Sequence, residues 1–212
     1  MKTFKKHSLD ITELEKEIED FENLLTQNKE LDENNDVLPF FRKRNHLSLF
    51  IGNYFPNLGL PNCLSYEFSV LNDFKADIAV GNKRKSVFCF IELEDAKENS
   101  VFVKKGKKFT SEWATRFEKG YSQIIDWFWK IEGHQGDKEF IDIFDSREIT
   151  YTGMLIIGRD NFLNTTERDR LSWRHDKVQV NSNQVICLTY DELLADFKEK
   201  LELFKHFKVN ST

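Results

Sequence analysis

The chain has 212 residues, 40% of them hydrophobic and 32% charged, with a net charge of −5. Twenty Phe and four Trp exclude a disordered chain and point to a packed core, and the length suits one domain with a small extra lobe. Three scattered cysteines without CxxC spacing, no apolar leader and no long apolar run give the expectation of a reduced, cytoplasmic protein with no membrane span.

Charge is distributed unevenly. Residues 1–36 carry eleven acids and five lysines, whereas residues 83–119 carry ten Lys/Arg and six acids. An acidic lobe therefore stands beside a basic region, a balance that leaves nucleic acid open as a partner.

In chain order, residues 12–29 read as a helix. Thr12 and Glu15 fit a capping box, and Ile11, Leu14, Ile18, Phe21 and Leu25 recur at spacings of three and four. This helix either packs on the domain or pairs with a second copy. A second helical pattern covers 37–53, and Pro56 and Pro61 bracket a loop. The period then changes to two: 63–71, 74–80 and 86–94 read as strands in a meander, with "GNKRK" (81–85) as a hairpin turn. After a basic loop, "VKKGKKFTS" (103–111), Ser111 is positioned to cap a long helix over 112–131. Strands follow at 152–158 and 184–190, separated by a short basic helix from Thr166 that carries Arg168, Arg170, Trp173 and Arg174. Thr189 with Glu192 makes a capping box for a last helix, 191–206. The order predicts an α/β fold, with a mixed central sheet flanked by helices. The boundaries are an N-terminal helical segment over 1–60 and the main domain over 61–212.

The chemistry centres on "FIELEDAK", residues 90–97, where an apolar strand ends in acids. Strand side chains alternate, so Glu92 and Glu94 share a face. With an even hairpin loop, Lys83-Arg84, Asp77 lies opposite Phe90 and on that same face. Three converging carboxylates repel one another and need compensation. Either a divalent cation supplies it, with oxygen ligands suited to Mg²⁺, or the acids form a solvated edge paired with lysines of the basic loop. On the helix that follows, Glu112, Arg116, Lys119 and Gln123 form a polar stripe, which can point Arg116 and Gln123 at the carboxylates or face solvent. The five histidines lack ligand spacing, and neither a GxSxG nor a Walker motif is present.

A strand with Asp, a hairpin, a strand with Glu and a Gln-bearing helix together resemble the PD-(D/E)xK nuclease core. More closely, "FCFIELEDAKENSVFVKKGKKFTSEWATRFEKGYSQIIDWFWKIE" (88–132) resembles the Shedu nuclease domain, with "RFEKGYSQIIDW" as its most distinctive stretch and "TYDELL" (189–194) similar to the closing strand and helix. The resemblance covers roughly 70–206. It implies a restriction-endonuclease-like fold, Mg²⁺- or Mn²⁺-dependent cleavage of DNA in antiphage defence, and a homo-oligomer. It assigns Asp77 and Glu92 as the two metal-binding acids and Gln123 as the helix polar residue. Glu94 stands where many such enzymes carry the lysine that positions water and steadies negative charge. Glu94 is then a third metal ligand or a water-holding base, and Arg116 is the first candidate for the missing cation, with Lys119 beside it. Lys104, Lys105, Lys107, Lys108 and Lys119 are the expected contacts to the DNA backbone. The alternative reading is a catalytically inactive nuclease fold that binds DNA or serves as an oligomeric scaffold.

Overall fold

The computed structural model describes residues 3–106 and 109–209, with side chains described to residue 206. Lys107 and Lys108 lie outside the described residues. In chain order the elements are β1 (Lys5–Lys6), α1 (Ile11–Gln27), a π-helical turn (Glu33–Val37), α2 (Leu38–Arg42), α3 (Asn45–Phe50), β2 (Cys63–Val70), β3 (Phe74–Asn82) and β4 (Val87–Leu93). They continue with β5 (Phe102–Val103), β6 (Glu112–Trp113), α4 (Thr115–His134), α5 (Lys138–Phe144), β7 (Thr150–Ile156), α6 (Thr165–Lys177), β8 (Gln179–Val180), β9 (Asn183–Leu188) and α7 (Tyr190–Val209).

A seven-stranded mixed sheet in the order β1-β2-β3-β4-β7-β9-β8 organises the molecule. The meander β2–β3–β4 is antiparallel, and β4, β7 and β9 run parallel. All residues of β4 are buried, as expected of a central strand covered on both faces. Alternation divides the core into two layers. Cys89, Ile91 and Leu93 join Ile78, Val80, Met154 and Ile186 beneath α1, α3 and α7. Phe88 and Phe90 join Ala79, Leu155 and Cys187 beneath α4 and α5. The stripe Leu14, Ile18, Phe21 and Leu25 of α1 is buried in the first of these layers, so the N-terminal helix packs on the sheet.

Several boundaries differ from the sequence expectation. Asp10, not Thr12, caps α1, because its carboxylate reaches the amides of Thr12 and Glu13. Residues 37–53 break into short helices rather than one. Ser111 does not cap α4. Glu112 and Trp113 instead pair with Val103 and Phe102, and Trp113 stacks between Phe102 and Phe117 at 4.3 and 4.5 Å, so the helix starts at Thr115. Asn164, with Glu167, makes the capping box of α6. The Thr189–Glu192 box is present as expected, with Glu192 accepting from the Thr189 amide at 2.8 Å.

The hairpin register also differs. Asn82 pairs with Val87, leaving a four-residue turn in place of the expected two. Phe90 accordingly faces Ala79, and continuing the ladder beyond Ile78↔Ile91 puts Asp77 opposite Glu92. The shift is two residues, so every side chain keeps the face expected from its alternation.

Helix α4 crosses the sheet closely because two glycines leave room. A Cβ on Gly153 of β7 would stand 2.2 Å from Ile124 Cγ2. A Cβ on Gly120 would stand 2.9 Å from Leu155 Cδ1 and 3.4 Å from Glu94 Cγ. This close approach sets the distance between the helix and the acidic end of β4.

Candidate functional site

The site lies where β4 ends and α4 begins its crossing. Glu92 and Glu94 are buried, at 9% and 6% exposure, and Asp95 is buried with them. The backbone here is tightly held. The Glu94 amide donates to Ile156 O at 2.9 Å, and the Tyr190 hydroxyl donates to Glu94 O at 2.6 Å.

Asp77 reaches the site from β3. The β2–β3 ladder runs from Tyr66↔Ile78 to Phe68↔Ala76 without pairing Glu67 to Asp77, and Glu67 takes φ +48°. A non-glycine residue in that region is held by its surroundings at some cost. The Asp77 carboxylate accepts from the Leu93 amide at 2.9 Å, which fixes it against β4.

Gln123, on the polar stripe of the crossing helix, donates from Nε2 to Glu92 Oε1 at 2.9 Å and to Lys75 O at 3.2 Å. Glu92 Oε2 is buried and without a hydrogen-bond partner among the described residues. Such an orphan acceptor is costly in a dry site unless it is protonated or meets a cation. Burial, followed by the neighbouring charges of Asp77, Glu94 and Glu33, pushes Glu92 up to about 10. Burial also raises Asp77 to about 6, against the pull of the Leu93 amide. Glu94 rises to about 7 through burial, although the Arg116 hydrogen bond acts in the opposite direction.

Arg116 supplies the positive charge at the site. Its Nη1 lies 2.5 Å from Glu94 Oε2 and 2.8 Å from Glu33 Oε2, and its Nε lies 3.2 Å from Asp95 Oδ2. One guanidinium thus spans three carboxylates, the geometry in which arginine outperforms lysine.

The structure therefore brings together Asp77, Glu92, Glu94, Gln123 and Arg116. It does not bring to them the described lysines that are expected to contact DNA. Lys105 pairs with Glu112 at 3.2 Å, and neither Lys104 nor Lys119 pairs with a site carboxylate among the described residues. Two site residues lie outside what the sequence predicts. Glu33 arrives on the π-helical turn, and Leu31 just before that turn bridges to Ala96 just past β4. Asp32 caps the turn and is tied to Lys97 at 2.8 Å. "DENND" has the signature of a cap, but nothing in it points to β4. Asp95 belongs to the same acidic run as Glu92 and Glu94, but its parity is opposite to theirs, so strand alternation does not direct it to the site.

The donor set fits a divalent cation only in one form. Among the described residues, no three Asp, Glu, His or Cys side chains converge closely enough to hold an ion between them. A site of two carboxylates and water fits better, because magnesium is commonly held in that way, and Glu92 Oε2 is an unused oxygen ligand beside Asp77. Glu94, held by Arg116, is less available as a third.

Residues 30–194 match the family model described as Shedu protein SduA, C-terminal, which covers more than half of the chain and includes Glu33 and every described acid of the site. No curated protein matches the chain. No helix among the described residues is long and apolar enough to cross a membrane.

Proposed function

Because the chain belongs to the Shedu SduA C-terminal family, and so to antiphage defence, we propose that it is a metal-dependent endonuclease domain acting on DNA. The observation that carries this reading is the orphaned, buried Glu92 Oε2 beside Asp77, with Gln123 holding the other Glu92 oxygen. Asp77 and Glu92 would hold Mg²⁺ or Mn²⁺, which when bound supplies Lewis-acid stabilisation of the phosphate and a more acidic water.

The chain's own residues perform the remaining work. Gln123 fixes the Glu92 rotamer, so that Oε2 stays aimed into the site. The Leu93 amide does the same for Asp77. Arg116 replaces the lysine expected at position 94 and places a permanent cation at the carboxylate cluster, where negative charge on a cleaved phosphate needs stabilising. Glu94 holds Arg116 in that position, which gives the acid a positioning role. Lys104 and Lys119, both exposed, would contact the DNA backbone. Assembly into a homo-oligomer belongs to the same reading.

A second reading is a nuclease fold that binds DNA without cutting it. It is favoured by one observation: Arg116 is already engaged by Glu33, Glu94 and Asp95. Relaxation of supercoiled plasmid separates the two. The endonuclease nicks in Mg²⁺ or Mn²⁺, stops in EDTA and is silenced by Glu92→Ala. A chain that binds plasmid equally in EDTA and never nicks it is the inactive module.

A further inference from the structure

A second basic feature lies beside the crossing helix, away from the carboxylates. Helix α6 presents Arg170, Trp173 and Arg174 to a groove of about 380 Å³, closed by Trp113 and Val178. The two arginines are in different states. Arg174 is neutralised: both terminal nitrogens bind Glu118, at 2.6 and 2.8 Å, and its guanidinium lies over Tyr121 at 4.1 Å. It acts as structure, tying α6 to α4.

Arg170 is positioned but not neutralised. Its guanidinium lies over Phe102 and Trp113, at 4.7 and 5.2 Å, and Nη1 donates to Ser111 O at 2.7 Å. No carboxylate among the described residues pairs with it. Arg170 also lines a neighbouring hollow of about 770 Å³ together with Lys104, whose ammonium has no acidic partner among the described residues. Arg170 joins the two hollows into one surface, on which Glu167 is the acid, its carboxylate accepting from the Asn164 amide in the cap of α6. Trp173 stands on this surface 62% exposed, an unusual position for a residue that normally buries most of its area.

We propose that this groove binds an unpaired stretch of nucleic acid, with a base stacked on Trp173 and the flanking phosphates met by Arg170 and Lys104. A flat aromatic surface beside a pre-positioned guanidinium is the combination that holds single strands without reading their sequence. The base must be unpaired, because in a duplex its faces are covered by its neighbours. An acidic peptide would be drawn by the same charge but has no use for the exposed indole plane. The choice of DNA as the natural ligand rests on the endonuclease reading; the groove's preference for single strands does not.

The test is fluorescence anisotropy in EDTA with labelled oligo(dT) and with a blunt-ended hairpin duplex of equal charge whose loop is a non-nucleotide linker, using the whole chain. Trp173→Ala is expected to weaken oligo(dT) binding by about tenfold, with Trp173→Phe close to wild type. Arg170→Gln is expected to weaken it similarly and to make the slope of log affinity against log salt shallower by about 0.7, the value of one phosphate on a single strand. Hairpin binding stays unchanged in Trp173→Ala. Both substitutions are on α6, and circular dichroism checks that each variant is folded. Unchanged oligo(dT) affinity in both variants overturns the proposal, as does an equal weakening on the hairpin. So does a wild-type groove that ignores oligo(dT) while binding poly-glutamate, which would make it a protein-docking site. Because no metal is present, a chain that binds oligo(dT) in this way but never nicks DNA would refute the endonuclease reading and leave the groove standing.

Discussion

Arg116, on the first turn of α4, places its guanidinium 2.5 Å from Glu94 at the end of β4. An acid therefore occupies the strand position expected to carry lysine, and it recruits a cation from a later element. The same guanidinium reaches Glu33 and Asp95. If the positive charge is catalytic, Arg116→Ala lowers nicking about 100-fold, the scale of one pre-organised electrostatic interaction. Arg116→Lys recovers only part, because an ammonium cannot span three carboxylates. Single-turnover nicking rates of the two variants check this.

Removing Arg116 also has a structural cost. Glu94 and Asp95 are buried, and Arg116→Ala leaves them without their guanidinium. Arg116 is itself 43% exposed on its side chain, so solvent moderates the penalty to about 1–3 kcal/mol. Urea denaturation would show the midpoint falling without a change in slope.

Much of this site is legible in the sequence because it rests on parity. Glu92 and Glu94 share a face by strand alternation, and Asp77 joins them under any hairpin register shifted by two. The actual turn is two residues longer than expected, and the face is unchanged. The stripe on α4 is legible for the same reason, since Arg116 and Gln123 are separated by about two turns. Glu33 is not legible, because its approach depends on how the segment after α1 docks on β4 through Leu31 and Ala96, residues far apart in the chain. The start of α4 differs from expectation because Trp113 stacks between Phe102 and Phe117 instead of entering the helix.

Stability of the metal-free protein should depend on pH with a defined sign. Burial raises Asp77 to about 6, Glu94 to about 7 and Glu92 to about 10 in the folded chain. A carboxyl with a raised folded pKa stabilises fully below its unfolded value and loses that contribution as pH climbs through the folded value. In EDTA, these three groups should make the melting temperature fall as pH rises from about 5 to about 8. Glu92→Gln removes the cost of protonating Glu92 on folding and should flatten that slope while raising the melting temperature at pH 8. Calorimetry across the pH series measures both.

Gly120 sets how closely α4 approaches the acids. In Gly120→Ala the added Cβ meets Leu155 and presses toward Glu94, displacing the helix that carries Arg116 and Gln123. The expected result is a fall in nicking out of proportion to the fall in stability. Gly153→Ala makes the opposite pattern, because its Cβ meets Ile124 and Phe128 in the core, at a cost of about 1–3 kcal/mol. Comparing melting temperature with nicking rate for the pair distinguishes a site effect from a packing effect.

Metal binding by Glu92 and Asp77 is tested most directly by anomalous diffraction at the manganese edge, from crystals soaked in Mn²⁺. The expected result is one ion bound by Glu92 Oε2 and an Asp77 oxygen at about 2.2 Å, with Arg116 still on Glu94. No anomalous peak at Glu92, or an ion held by Glu94 with Arg116 displaced, would contradict it.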